Sequence, residues 1–152
     1  MLRQQLNDAL KAALLGKEAR AVSTVRLILA ALKDRDIAAR PKGLVDGIGE
    51  EEILSMLQGM IKQRRESITL YEQGNRPELA QQEREEIAVI ERFLPKQMSD
   101  DEAAEAIAQV IDDIGALGIK DMGRVMAALK ERYAGRLDFA KAGAAAKAAL
   151  GG

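Results

Sequence analysis

The 152-residue chain contains no histidine, no cysteine and no tryptophan, and only two Phe and two Tyr. Without His or Cys it has no imidazole general base, no thiol nucleophile, no zinc set of the usual kinds and no Glu-x-x-His di-iron motif. Disulfides are excluded too, and a chain of this length does not need them to bury a core. Few aromatic rings leave few platforms on which single-stranded bases could stack. Neither a Gly-x-x-x-x-Gly-Lys-Ser/Thr phosphate loop nor a Gly-x-Gly-x-x-Gly turn occurs. No apolar run approaches the roughly 20 residues of a membrane-spanning helix, and the start Met1-Leu2-Arg3-Gln4-Gln5 lacks the apolar segment of a signal peptide. These absences predict a cytoplasmic protein with no cofactor, no metal and no membrane partner.

What is present favours helix. Ala, Leu, Glu, Lys, Arg and Gln dominate, and they are good helix formers and poor strand formers. Apolar residues recur at helical spacing along the chain. Leu2, Leu6, Leu10 and Ala13/Leu14 mark a first helix over about 2–15, closed by Gly16, a residue that tolerates the left-handed conformation after a helix end. Val22, Val25, Ile28/Leu29 and Leu32 give a second over about 18–39, ended by Pro41 and Gly43. Residues 41–49, with three glycines and a proline, read as a flexible loop. Glu50, Glu51 and Glu52 then sit where the positive end of a helix macrodipole favours carboxylates. From there Ile53, Leu57, Met60/Ile61, Ile68 and Tyr71 continue a third helix to Gly74, roughly 34 Å long. Pro77 opens a fourth that runs to Leu94, with Leu79, Ile87, Ile90 and Leu94 inward, and the short connection predicts an antiparallel hairpin.

Pro95 marks a boundary between an N-terminal helical domain, residues 1–95, and a C-terminal module, residues 96–152. Ser99-Asp-Asp-Glu102 is a capping box that starts a fifth helix near residue 100. Ala103, Ile107, Val110/Ile111 and Ile114 are its inward stripe, and Gly115 and Gly118 close it. Asp121 is expected to cap a sixth helix over about 122–133, with Val125, Met126 and Leu129 inward and Gly135 at its end. Asp138 is expected to cap a seventh over about 139–150, nearly all alanine between Phe139 and Leu150. The fold class is therefore all-α: an N-terminal helical bundle with a long antiparallel helical hairpin, followed by a small three-helix module.

The net charge of −1 is unevenly spread, at +5 over residues 1–45, −5 over 46–95, −5 over 96–119 and +4 over 120–152. Such runs are usually solvated faces, but basic ends also suit an anionic partner. On the second helix Arg26, Lys33 and Arg40 recur every seven residues, forming a narrow stripe, because a straight helix drifts only about 20° per heptad. Such a stripe suits a phosphate backbone. Lys62, Arg64 and Arg65 form a further basic cluster. In the tail Lys120, Arg124, Lys130, Arg132, Arg136 and Lys141 surround two short helices and a glycine turn. Contacts from these groups would recognise the shape and phosphates of a folded RNA.

Only carboxylates remain as candidate catalysts. Glu83 and Glu86 share a side of the fourth helix, yet acid/base pairs normally face each other across a cleft from different elements. The pair is expected to belong to a solvated face. Ser23, Ser55, Ser67 and Ser99 have no base with which to form a nucleophile pair. No catalytic residue is assigned.

Four segments carry a resemblance: Ser23-Thr-Val-Arg-Leu-Ile-Leu-Ala-Ala-Leu-Lys-Asp-Arg-Asp36, Met60-Ile-Lys-Gln-Arg-Arg-Glu-Ser67, Glu85-Glu-Ile-Ala-Val-Ile-Glu-Arg-Phe-Leu-Pro-Lys-Gln-Met98 and Lys120-Asp-Met-Gly-Arg-Val-Met-Ala-Ala-Leu-Lys130. In this order they resemble the GatB/YqeY family, free-standing relatives of the C-terminal part of the B subunit of the glutamine-dependent aspartyl/glutamyl-tRNA amidotransferase. The resemblance implies a helical bundle followed by a three-helix tail. In the amidotransferase that tail engages tRNA far from the kinase and amidase chemistry, which carries a tRNA-binding expectation onto Arg124 and its basic neighbours. After Gly135 the chain departs from the family's polar, Gly-Lys-containing pattern, with Leu137-Asp-Phe-Ala-Lys-Ala and then mostly alanine. Carbon–nitrogen ligase activity with glutamine as amido-N-donor attaches to the family through the amidotransferase and is not expected to be intrinsic here. The expectation is a non-catalytic tRNA-binding or tRNA-amidotransferase-associated protein, or a partner of another translation-related protein. The alternative is a protein–protein adapter with no RNA role, its hairpin of residues 51–94 forming the contact surface.

Overall fold

A computed structural model of the chain describes residues 1–151. The described residues form seven α-helices and no strand: α1 Leu2–Leu15, α2 Ala19–Ala39, α3 Glu50–Gln73, α4 Pro77–Glu91, α5 Asp100–Ile114, α6 Met122–Tyr133 and α7 Phe139–Ala149. They gather into two compact units, Met1–Pro95 and the residues from Lys96 onward.

In the first unit α1 packs on α2, α2 packs on α4, and α3 and α4 form a hairpin. Ion pairs bridge the hairpin from Glu72–Arg84 near its turn to Arg65–Glu91 farther away. The earlier partner on α3 meets the later one on α4, which is antiparallel order. Leu2, Leu6, Ile28, Leu32, Ile53, Leu57, Ile61 and Ile90 are buried together, and Ala13, Ala21, Val25 and Val89 form a second patch. Met56 and Val89 are core residues that the inward stripes omitted, and Leu14 is half exposed.

Several helix ends depart from expectation. The left-handed step after α1 falls on Lys17 (φ 54), not Gly16 (φ −80), and α3 likewise ends with its left-handed step on Asn75 (φ 56), after Gly74 (φ −84). The cause is register. The Glu18 N–H donates to the Ala13 carbonyl and the Arg76 N–H to the Tyr71 carbonyl, closing a Schellman-type turn whose left-handed position lies one residue beyond the glycine. Further on, α4 stops at Glu91 rather than Leu94. Arg92, Phe93 and Leu94 instead donate to carbonyls three residues back, a tightened last turn ahead of Pro95, which disfavours helix in the residue before it.

Residues 41–49 are anchored rather than free. After a 3₁₀ turn at Arg40–Lys42, the chain returns to bury Ile48 in the core. Arg3 of α1 grips Asp36 of α2 with two hydrogen bonds of 2.6 and 2.8 Å and donates a third, 2.8 Å, to the Ile48 carbonyl. The Ile48 N–H donates back to Asp36 at 2.9 Å. Gly47 (φ +97) lets the backbone pass this clamp: a Cβ there would collide with both the Asp36 carboxylate and the Arg3 guanidinium. Glu50 also does more than complement the α3 dipole, accepting the Leu2 N–H at 2.9 Å.

A buried charge joins α3 and α4. Glu86 is 7% exposed and accepts from the Arg64 Nε at 2.9 Å. Glu83 lies 3.8 Å from the same nitrogen, and Arg20 of α2 lies 3.9 Å from Glu86. Burial, and then the Glu86 charge, push the Glu83 carboxyl above the usual range.

In the second unit α5, α6 and α7 each pack on the other two. Both halves of the Ser99–Glu102 capping box are present, and Asp138 caps α7 through the Ala140 and Lys141 N–H groups. Asp121 does not cap α6; its carboxylate accepts the Leu117 N–H at 2.9 Å and so closes the α5–α6 turn. Ala142 and Ala146 are buried, and a Cβ on Gly143 would sit 3.9 Å from the Met126 methyl. The alanine-rich helix thus packs at short range, with buried Leu137 beside it.

Gly47→Ala is expected to lower the unfolding free energy by about 1–3 kcal/mol, the cost of a forced left-handed residue, as read by urea denaturation. Gly49→Ala, where φ is −81 and the space is open, should cost only about 0.5–1 kcal/mol, the difference between Gly and Ala at a helix N-cap. The Arg3 hydrogen bonds hold the Asp36 carboxyl below the usual range. The clamp's contribution is therefore complete above the ordinary carboxylate value of about 3.9 and is lost as pH falls below it. In Asp36→Asn this part of the acid sensitivity should disappear. Glu86→Leu should destabilise by about 2–3 kcal/mol, somewhat less than the loss of a fully buried partner. Adding Arg64→Met should recover most of that, whereas strictly additive losses in the double variant would contradict the pairing.

Candidate nucleic-acid interface

The second unit sorts its cations by side chain. Arg124, on the first turns of α6, donates to the Ile114 carbonyl at 2.9 Å and to Asp121 at 3.1 Å. Ile114 is the last residue of α5, where free carbonyls and the negative dipole end attract a cation. Arg132 reaches from α6 to Asp113 on α5 at 2.7 Å, and Arg136 donates its Nε–H to the Lys96 carbonyl at 3.0 Å. The Met98 N–H returns a bond to the Arg136 carbonyl at 3.0 Å. These three guanidiniums tie elements of the unit together. The hydrogen bond from Arg132 holds the Asp113 carboxyl below the usual range, and the Leu117 N–H, followed by Arg124, does the same for Asp121.

Lys120, Lys130 and Lys141 are different. All three are exposed, and no ion pair engages them among the described residues. Lys147 of α7, also exposed, joins them as a fourth ammonium left to solvent, and nothing in its sequence context sets it apart from the rest of the tail's charge. On α5, Asp101, Glu105 and Asp112 are exposed. An anion approaching this unit is therefore drawn to the lysines of α6, α7 and the turn before α6, and is repelled by the open side of α5.

In the first unit Arg26, Lys33 and Arg40 are all exposed and free of ion pairs among the described residues. The basic cluster around residue 64 dissolves, because Arg64 is held inside the hairpin by Glu86. Glu83 and Glu86 are not a solvated face either. Glu86 is buried and neutralised, for burial without a cation would cost more than an exposed helix face could return. A shallow concavity of about 420 Å³ lies between α2 and α4, beside Arg20, Glu85 and Arg92. Its charges pair among themselves, Arg20–Glu85 at 3.3 Å and Arg92–Glu18 at 3.8 Å. Among the described residues no cluster of acidic side chains has metal-binding geometry, and no helix is long and apolar enough to cross a membrane.

Three curated relatives align with this chain. Each is called altered inheritance of mitochondria protein 41, mitochondrial. The protein from Eremothecium gossypii is 35% identical over 106 residues, 68% of this chain and 56% of its own length. That from Meyerozyma guilliermondii is 37% identical over 91 residues, 59% of this chain and 44% of its own. That from Candida glabrata is 32% identical over 89 residues, 59% and 47%. The chain thus spans about half the length of the curated relatives it matches. The family model described as Yqey-like protein matches residues 3–150, from the clamp arginine of α1 to the end of α7, and with this match over nearly its whole length the chain belongs to the Yqey-like protein family.

Proposed function

We propose that this protein is a non-catalytic, tRNA-binding member of its family, associated with amidation on tRNA or with another step of translation. The observation that carries the reading is the division of charge in the second unit. Its arginines are engaged in holding helices, while Lys120, Lys130, Lys141 and Lys147 stay exposed and unpaired. Ammonium groups on flexible stems suit a phosphate backbone, which needs charge more than fixed geometry. The scarcity of aromatic rings favours a folded RNA over a single strand. The likeness of the tail to the tRNA-engaging end of the amidotransferase B subunit supports the same partner. Of the single nominated acid pair, Glu86 is buried and held by Arg64, and Glu83 is half-buried beside the same guanidinium, which supports the absence of intrinsic amide transfer.

Filter binding of the full chain to total tRNA checks this reading. At low salt binding is expected, falling steeply as salt rises because neutralised phosphates release counterions. Reversing Lys120, Lys130, Lys141 and Lys147 to Glu should abolish it, and reversing Lys120 and Lys141 alone, which lie outside the last turns of α6 and α7, should weaken it while leaving the melting temperature nearly unchanged. Arg132→Glu should instead lower the melting temperature, since it sets two carboxylates against each other at Asp113. Absence of binding at low salt, or binding indifferent to the lysine reversals, would refute the proposal.

A further inference from the structure

The outer side of α2 is left uncovered by the first unit, and what it offers goes beyond the RNA reading of the tail. Ala21, Val25, Ile28 and Leu32 face the core. On the opposite side Ser23, Arg26, Ala30, Lys33, Ile37 and Arg40 are all exposed and follow one another in alternating steps of three and four residues. This is the spacing with which one helix presents a seam to another. Leu27 and Ile37 beside and within the seam are each 49% exposed. Toward α1 the seam opens into a shallow groove of about 410 Å³ lined by Leu14, Lys17, Ala19, Val22, Ser23 and Arg26.

The charge along this strip has one sign. Lys17, Arg26, Lys33 and Arg40 are exposed without an ion pair, and Asp34 is the carboxylate at its flank. The arginines make the contrast sharp. From Arg64 through Arg136 every arginine makes an ion pair or a hydrogen bond, as do Arg3 and Arg20. Among the described residues, the arginines whose side chains make neither are Arg26, Arg35 and Arg40, all on α2 or the turn after it. Arginine with an idle planar fork next to exposed aliphatic groups is the composition of an interface centre.

We propose that the outer seam of α2 docks an acidic amphipathic helix of a partner protein. Its apolar side covers Leu27, Ala30, Ile37 and the groove at Leu14, and its carboxylates meet Lys17, Arg26, Lys33 and Arg40. Small Ser23 and Ala30 let the incoming backbone approach closely, and the aliphatic stems of the cations extend the apolar floor. A phosphate backbone would satisfy the cations but leave Leu27 and Ile37 uncovered, whereas an acidic helix uses both features. Charge complementarity then sets orientation and rejects basic helices.

Fluorescence anisotropy of the full chain with labelled synthetic peptides of about 20 residues, long enough to be helical, tests the seam. One peptide carries Leu at every a and d position and Glu on the exposed face, one has the same residues scrambled to destroy the apolar stripe, and one carries Lys in place of Glu. The first is expected to bind about tenfold tighter than either control. Ala30→Glu, Ile37→Glu and the Arg26→Glu/Lys33→Glu pair should each remove about tenfold of that affinity, with Ile37→Ser giving the same direction if a glutamate disturbs the helix. Binding to total tRNA should be unchanged in Ile37→Glu, so that failure of the tRNA reading and failure of this one are separable. Equal binding of the scrambled peptide would reduce the seam to bare charge and overturn the proposal. So would loss of tRNA binding in Ile37→Glu, or a dimer in sedimentation that Ile37→Glu dissociates, which would give the seam to RNA or to a second copy of this chain.

Discussion

Arg64 reaches across from α3 and closes on Glu86, a carboxylate withdrawn from water between the helices of the hairpin. A charge can stay in such a place only with a partner that satisfies its lone pairs while filling the surrounding space, and the guanidinium does both. The same device recurs wherever two segments must hold one relative register: Arg3 between α1, α2 and the chain before α3, Arg132 between α6 and α5, Arg136 on the segment entering the second unit. In a protein with few aromatic rings and one helix made mostly of alanine, apolar area alone specifies register weakly. Directional arginine contacts supply what large side chains would supply elsewhere. Lysine takes no part in the ion pairs of the described residues, which is why the ammonium groups remain available to a ligand.

Much of this was legible in the sequence because helices announce themselves locally. The periodic stripes placed the first six, Asp138 and the alanine run after it placed the seventh, and the Ser99–Glu102 and Asp138 caps appear where their side chains allow. What the sequence concealed depended on contacts between residues far apart in the chain. Residues 41–49 look free by composition, but Gly47 and Ile48 are fixed by Arg3 and Asp36, up to 45 positions away. Asp121 has the right type and place for a cap and yet serves the turn before it. Glu86 looks like any other member of an acidic run, and only its packing against Arg64 shows that it is buried.

Less of the candidate site than of the fold is legible in the sequence, for the same reason. Charge counting treats Arg124 and Lys120 alike, since both are cations on one basic stretch. Packing separates them: the arginines of the tail are partnered, the lysines are not. On α2 the lesson reverses, because Arg26 and Arg40 have no partner within the chain. Their spacing was visible from the start as a stripe, while the exposure of Leu27 and Ile37 beside them, which changes the kind of ligand the stripe suits, was not.

The clamp at Arg3 has a consequence for motion. Helix α1 is joined to the unit by Leu2 and Leu6 in the core, by its packing on α2, and by hydrogen bonds that cross to Asp36, Ile48 and Glu50. Several of these attachments concentrate in its first two turns, whereas in its last turn Ala13 alone is buried and Leu14 and Leu15 are open to solvent. Opening therefore has an order. Amide protons near Leu14 are expected to exchange before those near Leu6, whose opening requires the clamp to part and the segment from Gly47 to Glu50 to lift with it. One arginine thus couples the protection of two stretches some 45 residues apart into a single cooperative opening unit.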